Sequence, residues 1–544
     1  MSDDRQHALP DFAGALEAVL RREIDDCDGL VSAERLSGGA SMESYRLRCR
    51  RVSDPDGVLD ICLRRGPDGM DREGDNVTGV EAEALCMSTA RLAGVPEPEV
   101  LYVLTPTDGI GAGFIMEWLD GVTLGARIAR APELDEARSQ LAFQCGQEMA
   151  RIHGIDVDAT GLGDVLRRAA PSEYLEETWD RCRELPTPQP MIDYAARWLA
   201  EQLEEQDPVE LTLVHNDFRN GNVMVDAETG LVAVLDWETA HIGDPMRDLG
   251  WMCTNSWRFG QRHLPVGGFG RYEDLFAGYS DVAGVPVDPA RVQYWEVFGS
   301  FWWAVGCLGM ADRYRQGSDA TVERPAIGRR SSECQLDCAH LIIPGPVEFL
   351  PAVHSLGLLE PDFGRRAAEA SALGGTATSA EANDAAGDMP RVDEILESVR
   401  DFLHGEVRQA TEGRTNFLAL VAGNSIDIAL RERLIGPQLH RYELARLTSL
   451  VGSPTEGGAG VPAAGARAAA ATSDVAVAAA ASDAEVAEQV TELRWRLVQR
   501  LRDGTMALDT DGLAAYLRTS VAHQVAIDQP KYSAFRHLAA QASE

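Results

Sequence analysis

The sequence has few basic residues compared with its acidic ones. Its 544 residues include 50 Lys and Arg against 86 Asp and Glu, which gives a formal net charge of −36 at pH 7 and a pI near 4.7. Nucleic acids and anionic membranes bind proteins through clustered positive charge. The composition therefore argues against non-specific affinity for either, and an anionic ligand would need a local basic pocket or a metal ion.

Long hydrophobic runs are also missing. No stretch approaches the roughly 18 uninterrupted apolar residues of a membrane-spanning helix. The N-terminal sequence MSDDRQHALPDFAG has no apolar segment after a basic start, so no secretion signal is expected there. We expect a cytoplasmic location, with no membrane and no nucleic acid as partner.

The ten cysteines lack the close paired spacing that is typical of zinc sites and disulfide-rich domains. Most of them stand alone within apolar stretches, which is typical of reduced thiols. The closest group, CQLDCAH, offers Cys334, Cys338 and His340, whereas a zinc site would need a fourth ligand. We interpret this segment as structural.

The chain has an ordinary globular composition and is long enough for about three domains. Residues 1–122 read as a helix, strands, a helix and further strands, which indicates a small α+β lobe. Residues 123–360 are mainly helical. Small and acidic residues at 361–390 predict a linker. Residues 391–544 predict a helical bundle with a flexible Ala/Gly-rich insert at about 452–484, and the linker leads us to expect few contacts across it.

The segment VHNDFRNGNVMV places an unusual set of polar residues between two predicted strands. Phosphoryl transfer from ATP needs a carboxylate that orients and deprotonates the acceptor hydroxyl, and oxygen ligands that hold Mg²⁺ against the phosphates. The spacing predicts Asp217 as the base, Asn222 as a metal ligand and His215 as a hydrogen-bonding strut. Asp236, one hairpin later, is the second predicted metal ligand, and Arg219 completes the catalytic candidates Asp217, His215 and Arg219.

The segments HNDFRNGN and LDWETAHIGDPMRDLGW together resemble the aminoglycoside phosphotransferase-like kinases, a branch of the protein-kinase-like fold. The sequence is especially similar to the subgroup related to the kinase domain of certain acyl-CoA dehydrogenases. The resemblance covers roughly residues 30–345 and implies a bilobal fold, with an antiparallel-sheet N-lobe and a mainly helical C-lobe. It also implies ATP and Mg²⁺ as cofactors, and the same roles for Asp217, Asn222 and Asp236. The region after Pro390 resembles an uncharacterised helical domain that accompanies such kinases.

The resemblance also implies a nucleotide site in the N-lobe. The segment LSGGASMESYRL looks like the Gly-rich phosphate loop, with Gly38, Gly39 and Ser41 as cofactor-binding candidates, although a Gly-Gly pair alone is more often a hairpin turn. The lysine that kinases carry on the next strand is replaced by Arg64 or Arg65. Arginine keeps a permanent charge and grips phosphate with two N–H groups, so the role can survive the replacement.

The remaining nucleotide candidates lie on the following helix and strand. Glu83 is the expected carboxylate partner of the arginine, with Glu81 as the alternative. Glu117, Trp118 and Leu119, in FIMEWLDG, are expected to form the hinge whose backbone meets adenine, and an ordinary buried strand with an exit turn is the alternative.

Several other polar and aromatic residues have structural interpretations. His153 and His241 are expected to be packed rather than catalytic, because this chemistry needs no histidine acid or base. Asp244 and Asp248 are expected to hold the catalytic loop through hydrogen bonds. The acceptor pocket is expected from two aromatic and arginine-rich segments, residues 251–258 and 294–315.

The sequence therefore predicts an ATP- and Mg²⁺-dependent kinase that phosphorylates a hydroxyl of a small molecule. The resemblance implies a hydroxyacyl thioester or a related metabolite as acceptor, with aminoglycosides as the second choice. A pseudokinase is the alternative of another class; its C-terminal helices would recruit a partner. A protein partner or self-association through these helices is also compatible with the enzyme.

Overall fold

The structure is a computed structural model that describes residues 9–36, 42–54, 56–66, 77–360, 390–453 and 481–543. The chain divides into two compact units. One consists of Met1–Pro171 and Asp207–Glu296, and the other of Ser172–Gln206 and Val297–Glu544. Among the helices of the described residues, none is long and apolar enough to cross a membrane.

The elements follow in chain order. The strands are β1 Cys27–Arg35, β2 Glu43–Arg51, β3 Val58–Arg65, β4 Val100–Val103, β5 Gly113–Glu117, β6 Thr212–Val214, β7 Val223–Asp226, β8 Gly230–Val234 and β9 His241–Gly243. The helices up to the middle of the chain are α1 Leu9–Glu23, α2 Val80–Leu92, α3 Gly125–Arg130, α4 Asp135–His153, α5 Leu162–Val165, α6 Pro171–Arg183, α7 Pro190–Glu204, α8 Met246–Cys253 and α9 Tyr272–Ala283. The later helices are α10 Pro289–Arg315, α11 Glu323–Arg329, α12 Ser331–Ile342, α13 Pro351–Ser355, α14 Val392–Phe402, α15 Arg408–Ala410, α16 Gly413–Val451, α17 Asp483–Arg502, α18 Leu513–Asp528 and α19 Ser533–Ser543.

The first unit begins with a five-stranded antiparallel sheet in the order β1-β2-β3-β5-β4. Alternating apolar residues of the strands face α1, and Leu16, Leu20, Leu47, Leu63 and Ile115 share one core cluster that excludes water. The sheet register places Arg64 of β3 between Ser44 of β2 and Phe114 of β5. Arg64 therefore lies near the end of the central strand of the sheet.

Helices and two short hairpin-like sheets make up the rest of the first unit. Strand β6 pairs with β9, and β7 pairs with β8. Helices α4 and α9 approach closely because glycines stand at their crossing: a Cβ on Gly146 would lie 2.2 Å from the Leu275 carbonyl, and one on Gly278 would lie 2.0 Å from the Phe143 carbonyl. This packing fixes α4, which carries His153 to the catalytic loop.

The second unit is helical and contains contacts between the segments on either side of the predicted linker. Arg502 of α17 donates from Nε to Oδ1 of the fully buried Asp193 on α7 at 2.6 Å and from Nη2 to Oδ2 at 3.1 Å. Arg329 of α11 pairs with Asp528 of α18 at 3.1 Å. The expectation of few contacts across the linker is therefore wrong, because linker composition says nothing about which faces pack beyond it.

The fold class is confirmed, with an antiparallel sheet at the N-terminus, a mainly helical remainder and helices at the C-terminus. The predicted hairpin around AETG forms as β7 and β8. The predicted domain limits stay a prediction. The segments 361–389 and 454–480, which hold most of the predicted linker and insert, lie outside the described residues.

Candidate active site

Both oxygens of the Asp217 carboxylate accept hydrogen bonds. Its Oδ1 accepts hydrogen bonds from Trp251 Nε1 at 2.7 Å and from Arg219 Nε at 2.9 Å, and its Oδ2 accepts from Asn222 Nδ2 at 2.5 Å. Arg219 in turn lies over the ring of Trp257, 4.3 Å from the ring centroid. Hydrogen bonds to a charged acceptor are short and strong, so this carboxylate has a fixed orientation.

The loop that carries Asp217 is anchored from behind by Asp248 of α8. Its two carboxylate oxygens accept from the backbone N–H groups of His215 at 2.8 Å and Asn216 at 2.7 Å, and His153 lies 3.1 Å from Oδ2. Burial opposes the charge of Asp248, but the hydrogen bond with His153 and the nearby histidines outweigh it and lower the pKa of this carboxyl. Asn216 adopts a left-handed conformation, with φ of 67°, and Asn is one of the residue types that tolerates it.

His215 is a buried strut. Its Nδ1 accepts from the Asp217 N–H at 3.3 Å, so Nε2 is the donor to the Leu235 carbonyl at 3.1 Å. The ring packs against Trp237, with 4.6 Å between centroids. Burial lowers the pKa of His215, although Asp248, Asp217 and Asp236 act in the opposite direction. The neutral ring therefore ties the catalytic loop to the strand that precedes Asp236.

The β7–β8 hairpin brings Asn222 and Asp236 together. The Leu235 N–H donates to the Asn222 carbonyl at 2.8 Å, directly beyond the pairing of Val223 with Val234. The amide nitrogen of Asn222 is used by Asp217, which leaves its Oδ1 as the atom that can ligate a cation. Asp236 has a φ of 74°, a strained backbone conformation for a residue with a side chain.

Arg64 lies between three carboxylates. It forms ion pairs with Glu83 of α2, at 3.0 Å from Nε to Oε1, and with Asp236, and its Nη2 lies 3.9 Å from Glu238 Oε2. Burial opposes the charge of Arg64, but these carboxylates outweigh it and raise its pKa. In the same way burial acts against the Asp236 charge, while Arg64 and then Arg219 lower the pKa of Asp236.

These contacts bear on two alternatives that the sequence left open, namely which glutamate and which arginine pair with each other. Glu83 is fully buried against Arg64, whereas Glu81 is exposed, so Glu83 is the arginine's partner. Arg65 is not brought to this cluster: it binds Glu43 at 2.8 Å and the Ile110 carbonyl at 3.1 Å, and it stacks on Phe12. Successive residues of a strand point to opposite faces, and Arg65 takes the face of α1.

The structure says less about the other predicted cofactor-binding residues. Gly38, Gly39 and Ser41 lie outside the described residues. Glu117 ends β5, and its Oε2 accepts from the Glu99 N–H at 3.2 Å. Trp118 donates from Nε1 to Asp120 Oδ1 at 2.9 Å, and Arg46 lies over its ring. Leu119 follows on the same exit turn, and the hinge role of these three residues stays a prediction.

The residues with structural interpretations lie mainly in packed positions. His241 is buried, and burial followed by Arg167 lowers its pKa to about 3. Asp244 accepts a hydrogen bond within its own turn and another from Arg291 of α10 at 2.9 Å. Of these two aspartates, Asp248 is the one that holds the catalytic loop. Arg258, from the predicted acceptor pocket, donates to Glu296 at 2.6 Å inside the core and is therefore a strut.

Comparisons with known proteins show which families parts of this chain are similar to. A family model described as the phosphotransferase enzyme family matches residues 32–285, and a domain of unknown function matches residues 409–532. Residues 32–285 are therefore similar to that phosphotransferase family. The matched segment contains Asp217, Asn222, Asp236 and Arg64 together with Glu83.

Relatives and solved structures cover different parts of the chain. Acyl-CoA dehydrogenase family member 10 of Mus musculus is 30% identical over 36% of the chain and 18% of its own length. Acyl-CoA dehydrogenase family member 11 of Gallus gallus is 26% identical over 62% of the chain and 43% of its own length. The chain thus spans less than half of either relative. A structure from Ralstonia eutropha, provisionally classed as an aminoglycoside phosphotransferase, is 22% identical with a TM-score of 0.48, over 59% of this chain and 95% of that one.

Sequence reasoning missed Trp251 as a residue that contacts the predicted base. The aromatic and arginine-rich pattern predicts Trp251 as part of the acceptor pocket, but its indole N–H donates to Asp217. Residues three apart on a helix share a face. Because Asp248 of α8 grips the catalytic loop, Trp251, three residues later on the same helix, was the residue most able to reach that loop.

Proposed function

We propose that the matched segment, residues 32–285, transfers the γ-phosphoryl group of ATP, with Mg²⁺, to a hydroxyl group of a small molecule. The observation that carries this proposal is the fixed carboxylate of Asp217, held by Trp251, Arg219 and Asn222, on the loop adjoining the Asp236 hairpin. A carboxylate so oriented suits a group that receives the proton of an attacking hydroxyl.

The donor set beside Asp217 suits the cofactor. Mg²⁺ is usually held by one or two carboxylates together with phosphate oxygens, and Asp236 with the amide oxygen of Asn222 offers such a partial set. Within the described residues no group of three or more His, Cys, Asp or Glu could hold a metal ion by itself, so this proposal needs phosphate oxygens to complete the coordination. The bound ion would neutralise phosphate charge during transfer.

Arg64 would hold the phosphates of the nucleotide. Ion pairs with Glu83 and Asp236 orient its guanidinium. Its charge is retained because the surrounding carboxylates raise its pKa. A guanidinium in this place can bind two phosphate oxygens at once. Glu83 then acts as a positioning residue, since it touches Arg64 and not the nucleotide.

The neighbourhood of Asp217 favours a neutral or anionic acceptor over a polycationic one. Arg219 lies 2.9 Å from the carboxylate and is stacked on Trp257. An aminoglycoside would bring several ammonium groups against this guanidinium, and like charges at close range repel. A hydroxyacyl thioester or a related hydroxy metabolite carries no such charge, and two of the relatives are named as acyl-CoA dehydrogenases. We therefore propose this acceptor class.

The test separates the proposed base from the proposed metal ligand. Asp217→Asn keeps the size of the side chain and should leave MgATP affinity nearly intact while lowering kcat by about 10²–10⁴. Asp236→Asn should instead raise the Mg²⁺ requirement and weaken MgATP as well as turnover. Calorimetric titration of Mg²⁺ and ATP, with single-turnover transfer to a panel of hydroxyacyl thioesters and aminoglycosides, measures both effects. Equal metal defects in the two variants would refute the assignment.

A nucleotide-binding pseudokinase is the second candidate, and the ion pair between Arg64 and Asp236 is the observation that favours it. This pair neutralises the carboxylate that would hold the metal. A pseudokinase would bind nucleotide without transferring phosphate to any acceptor or to water. Slow Mg²⁺-dependent ATP hydrolysis that is abolished by Asp217→Asn would exclude this candidate.

A further inference from the structure

Helix α14 presents apolar side chains to solvent along one side. Val392, Ile395, Val399 and Phe402 are 54%, 47%, 43% and 51% exposed. Their spacing of three, four and three residues puts them in a single line on the helix. We call these four residues the α14 strip.

The opposite side of this helix is charged and faces the protein. Arg400 Nη1 lies 3.4 Å from Asp427 Oδ1 of α16, and His404, in the turn that follows α14, lies 3.7 Å from Asp427 Oδ2. An amphipathic helix at a protein surface normally buries its apolar stripe. Here ion pairs hold the charged side inward, and the α14 strip stays about half exposed in the part of the chain that the structure describes. Exposed apolar surface of this kind marks interaction sites.

The α14 strip is complementary to itself. Val392 and Phe402 lie five residues on either side of Glu397, and Ile395 and Val399 lie two residues on either side. When two antiparallel copies are related by a twofold axis that crosses the strip midway between Ile395 and Val399, Val392 faces Phe402 of the second copy and Ile395 faces Val399. Every residue of the strip then meets an apolar residue, as an isologous interface requires.

The charges beside the α14 strip do not prevent such pairing. Arg391 binds Asp393 at 3.0 Å and Glu394 at 3.4 Å, and Arg400 binds Asp401 at 2.8 Å, so these acidic residues are paired within their own chain. The net charge of −36 still repels a second copy at long range. Added salt should therefore strengthen self-association, whereas it would weaken binding of a basic partner.

We propose that the α14 strip is the apolar centre of a homodimer interface in which two α14 helices pack antiparallel. A stable interface buries about 800 Å² per partner, and a helix of eleven residues is only about 16 Å long. The strip therefore supplies the centre of the contact and not its whole area. Such a dimer dissociates on dilution at micromolar concentrations.

Sedimentation of the full chain over roughly a hundredfold range of concentration around the micromolar level tests the proposal. The wild type should shift from monomer to dimer, and more readily with added salt. The double variant Ile395→Asp, Val399→Asp should weaken dimerisation at least about 100-fold. Val285→Asp, at a position that is 58% exposed between α9 and α10, is the matched control and should dimerise as the wild type does.

Cysteine cross-linking tests the orientation on an otherwise unchanged chain. The ten native cysteines are buried, so an added surface thiol reports its own neighbours. A mixture of Ile395→Cys and Val399→Cys chains should give cross-linked dimers, and Ile395→Cys alone should give far fewer. A wild type that stays monomeric at every concentration overturns the proposal. This includes the case in which another partner or another segment covers the strip. Dimers that persist in the double variant, or efficient cross-linking by Ile395→Cys alone, overturn it as well.

Discussion

Removing the side chain of Arg64 should affect both nucleotide binding and folding, because this residue connects the predicted phosphate site to a buried carboxylate. Arg64 is 14% exposed and Glu83 is 0% exposed. Truncating one member of a buried ion pair typically costs about 3–5 kcal/mol. We expect Arg64→Ala to lower the free energy of unfolding by about 3 kcal/mol, since Asp236 keeps some access to water and recovers part of its solvation.

The loss of nucleotide affinity should be separable from the loss of stability. A hydrogen bond to a charged group contributes about 1.5–3 kcal/mol, so the Kd for MgATP should rise about tenfold to a hundredfold in Arg64→Ala. Arg64→Lys restores the charge but not the second N–H edge, and should recover part of both losses. The double variant Arg64→Ala, Glu83→Ala leaves no buried unpaired charge at Glu83, and should be more stable than the sum of its single changes predicts.

Urea unfolding and calorimetric titration of MgATP measure the two effects on the same proteins. Arg65→Ala is the matched control: it should cost stability through Glu43 and Ile110 but leave the Kd for MgATP unchanged. The reasoning is refuted if Arg64→Ala binds MgATP as the wild type does while Arg65→Ala does not. It is also refuted if the double variant shows no coupling between Arg64 and Glu83.

Two further predictions concern single side chains. Trp251→Phe removes the indole donor from Asp217 Oδ1. It should lower the rate of ATP hydrolysis about 10–100-fold with little change in KM for MgATP. An equal rise in KM would mean that Trp251 serves binding. Burial raises the pKa of Asp528 to about 6 from its ordinary 3.8, so its ionisation costs the folded state stability as pH rises through that window. Asp528→Asn avoids this loss. Urea unfolding at a series of pH values should therefore show the variant gaining stability over the wild type between pH 3.8 and about 6. A difference in the free energy of unfolding that stays constant with pH would contradict the assignment.

The polar residues around Asp217 could be predicted to lie together because their geometry is local, while their catalytic roles stay predictions. Asp217 and Asn222 are five residues apart in one loop, and the hairpin that follows returns the chain to Asp236. Short-range turn and hairpin signals determine such an arrangement without reference to distant packing. The choice between Glu83 and Glu81, and between Arg64 and Arg65, needed the register of β3 against β2 and β5, which residue spacing alone does not give.

The contacts of distant segments were outside the reach of sequence reasoning. Asp193 and Arg502 are more than 300 residues apart, yet they form a bidentate ion pair inside one compact unit. Asp193 is an acidic residue in the first turn of an amphipathic helix, and such a residue is usually solvated. Burial raises its pKa while Arg502 acts against that rise, so only the folded arrangement gives this carboxyl its unusual environment.

Helix α14 shows where the apolar pattern of a helix stops being informative. Residues 391–544 are predicted to form a helical bundle, and Val392–Phe402 is a helix, but the apolar side chains of its α14 strip are exposed rather than packed inside such a bundle. Periodicity states which side chains share a face and not what covers that face. Asp427, supplied by α16, attracts Arg400 and His404 and thereby turns the charged side inward. Ion pairs keep this apolar face away from the core of its own chain, so either another surface covers it or it stays exposed and favours aggregation. Because its apolar residues are spaced symmetrically, a second copy of the chain is the occupant that fits.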